Sequence, residues 1–142
     1  MIDCFEGDYH FLSNFYPSPI TYKGLDYPTV EHAFQAQKTG SWRKRFEIRA
    51  APSPGVAKRI GHNMPLRKDW ERVKEVVMLD LLRLKFQNRA LGVKLILTGN
   101  VQLIEGNWWG DRYWGVCEGE GENRLGVLLM WVRRELRNRI SV

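Results

Sequence analysis

The run Asp69-Trp70-Glu71-Arg72-Val73-Lys74-Glu75-Val76-Val77-Met78-Leu79-Asp80-Leu81-Leu82-Arg83-Leu84-Lys85-Phe86 is the longest periodic stretch of this chain. Trp70, Val73, Val77, Leu81 and Leu84 recur at the spacing that lays one face of an α-helix against a core. Working outward, residues 91–97 read as another helix, ended by Thr98-Gly99, and residues 125–137 as a closing one. Upstream, Ser53-Pro54 opens a short helix through Val56 and Ala57 to Ile60, which Gly61 stops. Thr29 can N-cap a helix over residues 30–39, with Gly40 ending it. The strand signals are short. Ile20 to Tyr22 and Leu25 to Tyr27 flank Lys23-Gly24, a two-residue hairpin turn, and residues 101–105 alternate as a strand would. Residues 9–19 read as loop, and residues 106–123 as an irregular loop around a short strand. Helix dominates, and nothing suggests a βαβ repeat. The expectation is an α+β fold, one compact helix-rich domain over residues 1–142 with a few short strands.

The bulk numbers agree with a globular chain. Its 142 residues are 44% hydrophobic and 27% charged, enough to bury a core. No apolar run approaches the roughly 20 residues of a membrane span. Met1 to Gly7 carries Asp3 and Glu6 where a secretory signal needs basic and then apolar residues, so a cytoplasmic location is expected. Cys4 and Cys117 lie far apart without metal-ligand spacing and read as buried or half-buried free thiols. His10, His32 and His62 are scattered, and no metal or cofactor motif is present; neither a metal nor a cofactor is expected. The 22 Lys and Arg against 16 Asp and Glu, net +6, suit a phosphate-bearing ligand or nucleic acid. Tryptophans offer flat faces on which a base can stack.

Chemistry concentrates in a few places. Glu31, Gln35 and Lys38 stand at i, i+4 and i+7, making one helix face polar. That face is either solvated or set to straddle a ligand, since Glu31 and Lys38 lie about 10 Å apart along the axis, too far for a simple salt bridge. Asp111 sits among Trp108-Trp109-Gly110 and Arg112-Tyr113-Trp114-Gly115. Such a mixture forms either a pocket wall or an aromatic corner in which Asp111 caps a turn or pairs with Arg112. Asn14 and Phe15 offer an amide and a ring on a loop, or an Asn turn followed by a core anchor. Trp70 is by spacing a core residue. Lys58, Arg59, Arg67 and Lys68 are candidate phosphate ligands or an ordinary charged surface.

Four stretches, taken together and in this order, resemble the YbiA-like, or NADAR, family: Leu12-Ser13-Asn14-Phe15; Tyr27-Pro28-Thr29-Val30-Glu31-His32-Ala33-Phe34-Gln35-Ala36-Gln37-Lys38; Pro65-Leu66-Arg67-Lys68-Asp69-Trp70; and Asp111-Arg112-Tyr113-Trp114-Gly115 with Asn123-Arg124-Leu125-Gly126. The resemblance implies an N-glycosidase that hydrolyses the bond between a base and a phosphorylated ribose or ADP-ribose. Its substrates would be phosphoribosylamino-pyrimidine intermediates of riboflavin synthesis or ADP-ribosylated guanine in nucleic acid. By the same resemblance Glu31, Asp111 and Lys38 are the catalytic candidates, and Asn14, Phe15, Trp70, Trp114 and Gly115 the substrate-binding ones. Val116-Cys117 and Glu122 depart from the family pattern, on the side that would set specificity. The alternative reading is a non-catalytic module that binds ADP-ribose or nucleotides.

Overall fold

In the computed structural model, which describes residues 1–140, β1 (Ile20–Tyr22) and β2 (Leu25–Tyr27) pair antiparallel with Ile20 opposite Tyr27 and Tyr22 opposite Leu25. Lys23 and Gly24 both take positive φ, 51° and 84°, the turn whose twist matches the strands it joins. This hairpin is the expected one. The chain then forms α1 (Val30–Ala36), α2 (Trp42–Arg49), α3 (Pro54–His62) and α4 (Trp70–Lys85). Together these elements make one compact unit, Asn14–Lys85. Within it α1 is the central piece, packed against α2, α3, α4 and both strands, and all seven of its residues are buried.

The second unit joins Met1–Ser13 to the chain from Phe86 onward. It contains a 3₁₀ turn at Gly7–Leu12, then α5 (Arg89–Leu97), β3 (Gly106–Asn107), β4 (Val116–Cys117) and α6 (Arg124–Ile140). Helices α5 and α6 pack on each other, and β3 pairs parallel with β4. The α+β class expected from the sequence is what the fold shows. No helix among the described residues is long and apolar enough to cross a membrane.

Several local expectations need correction. Residues 101–105 are not a strand: only Leu103 bridges, to Ile2, through Ile2 N–H to the Gln102 carbonyl and Ile104 N–H to the Ile2 carbonyl. Their alternation reflects the burial of Leu103 alone. Helix α1 ends at Ala36 rather than near Thr39, capped at Gln37. Gly61 does not stop α3, which runs to His62; its lack of a side chain instead leaves room for Gln35, which lies where any Cβ at Gly61 would be. The first part of the 9–19 segment is 3₁₀ rather than loop. In α4, Val73 and Leu84 are only half-buried, and the buried residues are Trp70, Val77, Met78, Leu81, Leu82 and Lys85. Cys117 is buried but Cys4 is exposed.

Candidate active site

Helix α1 starts on a cap that also fixes a histidine. The Thr29 hydroxyl accepts the His32 N–H at 3.1 Å and lies 2.7 Å from His32 Nδ1, while His32 Nε2 lies 3.0 Å from the Ala51 carbonyl. A carbonyl can only accept, so Nε2 carries the proton and the Thr29 hydroxyl donates to Nδ1. Burial pushes the His32 pKa down, with the Ala51 carbonyl opposing. The imidazole is therefore a neutral brace between the start of α1 and the segment after α2. Glu31, the next residue back, is anchored at its own N–H by the Asn14 carbonyl, 3.1 Å.

The polar face of α1 is not solvated. Glu31 is 6% exposed, Gln35 2% and Lys38 9%. Gln35 Nε2 donates to Glu31 Oε1 at 3.2 Å. Gln35 Oε1 and Asn14 Oδ1 are buried acceptors without a hydrogen-bond partner among the described residues, which a folded protein tolerates at a cost of about 1–3 kcal/mol each. Lys38 sits just past the helix with its ammonium 5.8 Å from the Phe34 ring centroid. Burial pushes this amine below the usual lysine range; Glu31 opposes that, and Lys58 and Lys74 add to it.

Trp70 closes the same neighbourhood. Its ring packs on Phe34, centroids 5.1 Å apart and planes at 58°, and it is 5% exposed, so the core reading by spacing is correct. It shares Phe34 with Lys38, which also puts it beside the α1 cluster. The turn before it is tied to the end of α1 by Arg67 N–H to the Lys38 carbonyl, 2.8 Å, and stiffened by a two-point Arg67–Asp69 pair at 2.6 and 2.9 Å. Arg67 is therefore a structural clamp. Phe15 is more exposed and lies under the Lys58 ammonium, 5.9 Å away. Asn14 holds Met78 Sδ through Nδ2 at 3.6 Å.

Asp111, Trp114 and Gly115 belong to the second unit. Asp111 Oδ1 accepts the N–H groups of Tyr113 and Trp114 at 3.0 and 2.9 Å, and its own N–H and carbonyl are clasped by the Asn107 amide. The turn-capping role is thus real. The alternative pairing is not: Arg112 reaches Glu118 and Glu120. Carbonyls of Arg112, Tyr113, Trp114 and Gly115 accept from Glu122, Arg124, Leu125 and Asn123, so the turn is laced to the start of α6 and satisfies N–H groups a helix leaves open there. Gly115 is required sterically, since a Cβ would strike the Glu105 carboxylate and carbonyl. Among the described residues the second carboxylate oxygen of Asp111 has no hydrogen-bond partner.

The NADAR domain matches residues 4–137. The chain belongs to the NADAR family. It is 49% identical over 133 residues to N-glycosidase YbiA of Shigella flexneri serotype 5b, covering 91% of this chain and 82% of that protein. Against a riboflavin biosynthesis protein of Vibrio vulnificus it is 38% identical over 130 residues, 89% of this chain and 35% of the longer relative. The solved structure of the Escherichia coli protein YbiA superposes with a TM-score of 0.86 at 43% identity, over 99% of this chain and 89% of that one. This NADAR chain is accordingly a hydrolase of the N-glycosidase class.

Two features of the NADAR chain were not legible as site features in the sequence. Gln35 was visible only as part of a polar stripe, and its packing against Gly61 depends on α3. Lys85, at the end of α4, is 1% exposed with its ammonium 5.7 Å from the Tyr16 ring, and burial pushes its pKa down to about 7. A lysine in the last turn of a helix ordinarily signals dipole complementation in solvent, so nothing local announced its burial.

Proposed function

We propose that this N-glycosidase hydrolyses the bond between a base and a phosphorylated ribose or ADP-ribose, in a phosphoribosylamino-pyrimidine or an ADP-ribosylated guanine, and that Glu31 and Lys38 carry the reaction. The observation that supports this reading is the buried Lys38 amine, held below the ordinary lysine range close to a buried carboxylate and an aromatic pair. A protein that only bound nucleotides would gain more from a charged, hydrated lysine, and would lose stability by burying one.

The chemistry follows from those groups. As the C1′–N bond lengthens, positive charge grows on the ribose and the base accepts the bond's electron pair. The Glu31 carboxylate stabilises that charge. The neutral Lys38 amine attacks C1′, the base departs and takes a proton, and the ribose ring opens to leave an iminium between C1′ and Nζ. Water then adds to C1′, releasing the sugar aldehyde and restoring the amine. Burial supports the neutral nucleophile this needs. Asn14 Oδ1 offers an acceptor for a sugar hydroxyl or base amino group, and Trp70 and Phe15 supply ring faces; in the second unit, taken by itself, Asp111 has a carboxylate oxygen left for a hydroxyl donor beside Trp114 and Gly115. A cytoplasmic setting fits substrates of this kind.

The test is to incubate the protein separately with ADP-ribosylated guanine DNA and with the phosphoribosylamino-pyrimidine, following free base and sugar by mass. Borohydride should trap a protein–sugar adduct that Lys38→Ala abolishes. Release without a trappable adduct would remove Lys38 as nucleophile and leave direct attack by water. Binding without release from either would refute both compounds as substrates of this N-glycosidase.

A further inference from the structure

Helix α2, Trp42-Arg43-Lys44-Arg45-Phe46-Glu47-Ile48-Arg49, buries only Ile48. Trp42 and Phe46 are 54% and 47% exposed. They stand at i and i+4, and their rings form a tilted pair with centroids 6.2 Å apart and planes at 38°. The Arg45 guanidinium lies 5.6 Å from the Trp42 centroid, and its Nε is fixed by the Thr39 carbonyl at 2.9 Å. This bond holds the Arg45 cation beside the Trp42 ring. Arg43, Lys44 and Arg49 are exposed on the same helix. Its one acid, Glu47, is taken up by Lys44 at 3.3 Å, so the helix presents net positive charge around two uncovered rings.

Solubility alone would not place two large rings in water on so short a helix. An acidic peptide could answer the charge but has no repeating flat face for the rings. Single-stranded nucleic acid has both, a phosphate at every step and a base with two open faces. We propose that α2 is a docking surface for single-stranded nucleic acid, with unpaired bases stacking on Trp42 and Phe46 and phosphates meeting Arg43 and Arg49. This deepens the function proposed above, since it selects the nucleic-acid-borne form of the substrate.

The experiment uses the full chain and an unmodified single-stranded DNA 15-mer, with affinity read by fluorescence anisotropy across a salt series. The strand should bind and quench tryptophan fluorescence. Trp42→Ala with Phe46→Ala should weaken binding by about tenfold or more, the scale of losing base stacking, while Trp42→Tyr with Phe46→Tyr should keep it. Arg43→Glu should weaken binding and make the dependence of log affinity on log salt shallower by roughly one phosphate contact. Far-UV circular dichroism and Tm of each variant should match the parent, because the altered side chains are exposed. Absence of strand binding, equal binding by the double alanine variant, or equal affinity for a duplex of the same length would each overturn the proposal. A parent protein that binds the strand through α2 but releases base from neither substrate would uphold the docking surface and refute the function it was joined to.

Discussion

Replacing Lys85 with Met removes the most deeply buried charge-bearing group of α4, and its effect can be worked from the structure. Lys85 is 1% exposed and burial lowers its pKa from 10.5 to about 7. In the unfolded chain the amine returns to its ordinary value, so between about pH 7 and pH 10.5 the unfolded state binds more protons than the folded one. Stability therefore rises with pH across that window, and below it the folded state bears the full cost. At about 1.4 kcal/mol per tenfold, the full cost is roughly 5 kcal/mol. About half of it is relieved between pH 6 and pH 9, on the order of 2–3 kcal/mol. Methionine has a similar length and no charge. Urea unfolding of parent and Lys85→Met, followed by tryptophan fluorescence and extrapolated linearly, should give a stability difference that shrinks by that amount from pH 6 to pH 9. All other titrating groups are common to both proteins and cancel. A difference that stays flat across the range would refute the burial argument, whatever its absolute size.

Glu31→Ala should lower kcat by about a hundredfold or more, the scale of a positioned acid–base group; a folded variant with near-parent kcat would remove Glu31 from the chemistry. Because Glu31 holds the Lys38 pKa up against burial, Glu31→Gln should make Lys38 deprotonate at still lower pH, read as faster labelling of Lys38 by an amine reagent near neutral pH; slower labelling would contradict the coupling. Asp111→Asn retains an oxygen to accept the Tyr113 and Trp114 N–H groups, so Tm should hold while KM rises; Asp111→Ala should also destabilise by about 1 kcal/mol, as lost caps do. Gly115→Ala should lower Tm by several degrees, since Glu105 backbone and side chain block the added methyl, and an unchanged Tm would show that Glu105 yields.

What the sequence disclosed depended on how locally each feature is determined. The Lys23-Gly24 hairpin and the Thr29 and Ser53 caps are specified within a few residues, and they stand as expected. The motif-bearing residues Glu31, Lys38 and Trp70 fall into one neighbourhood, but their burial was invisible, because a Glu, Gln, Lys stripe looks the same whether it faces water or protein. Helix α2 was missed since Trp42-Arg43-Lys44-Arg45-Phe46 has no apolar stripe; the Ser41 cap and the single inward Ile48 hold it. Strands β3 and β4, two residues each, lie within residues 106–123, the loop expected to surround one short strand; their parallel pairing comes from how that loop folds back on itself, which so short a strand pattern does not specify. Asp111 was legible as an important acid, with its turn-capping and pocket roles left open, and the structure makes the capping role plain.

The complete burial of α1 also limits how a protein of this kind can diversify. With every position from Val30 to Ala36 inside, no residue of that helix can be exchanged to suit a new substrate without disturbing its packing. Even the three carrying polar groups are hemmed in, Gln35 by Gly61, Glu31 by Gln35 and His32 between Thr29 and the Ala51 carbonyl. Adaptation must then act from the periphery, through more exposed positions such as Phe15 or Lys58. A mutational library aimed at altered substrate preference should be spent there, leaving the helix as an inherited constant.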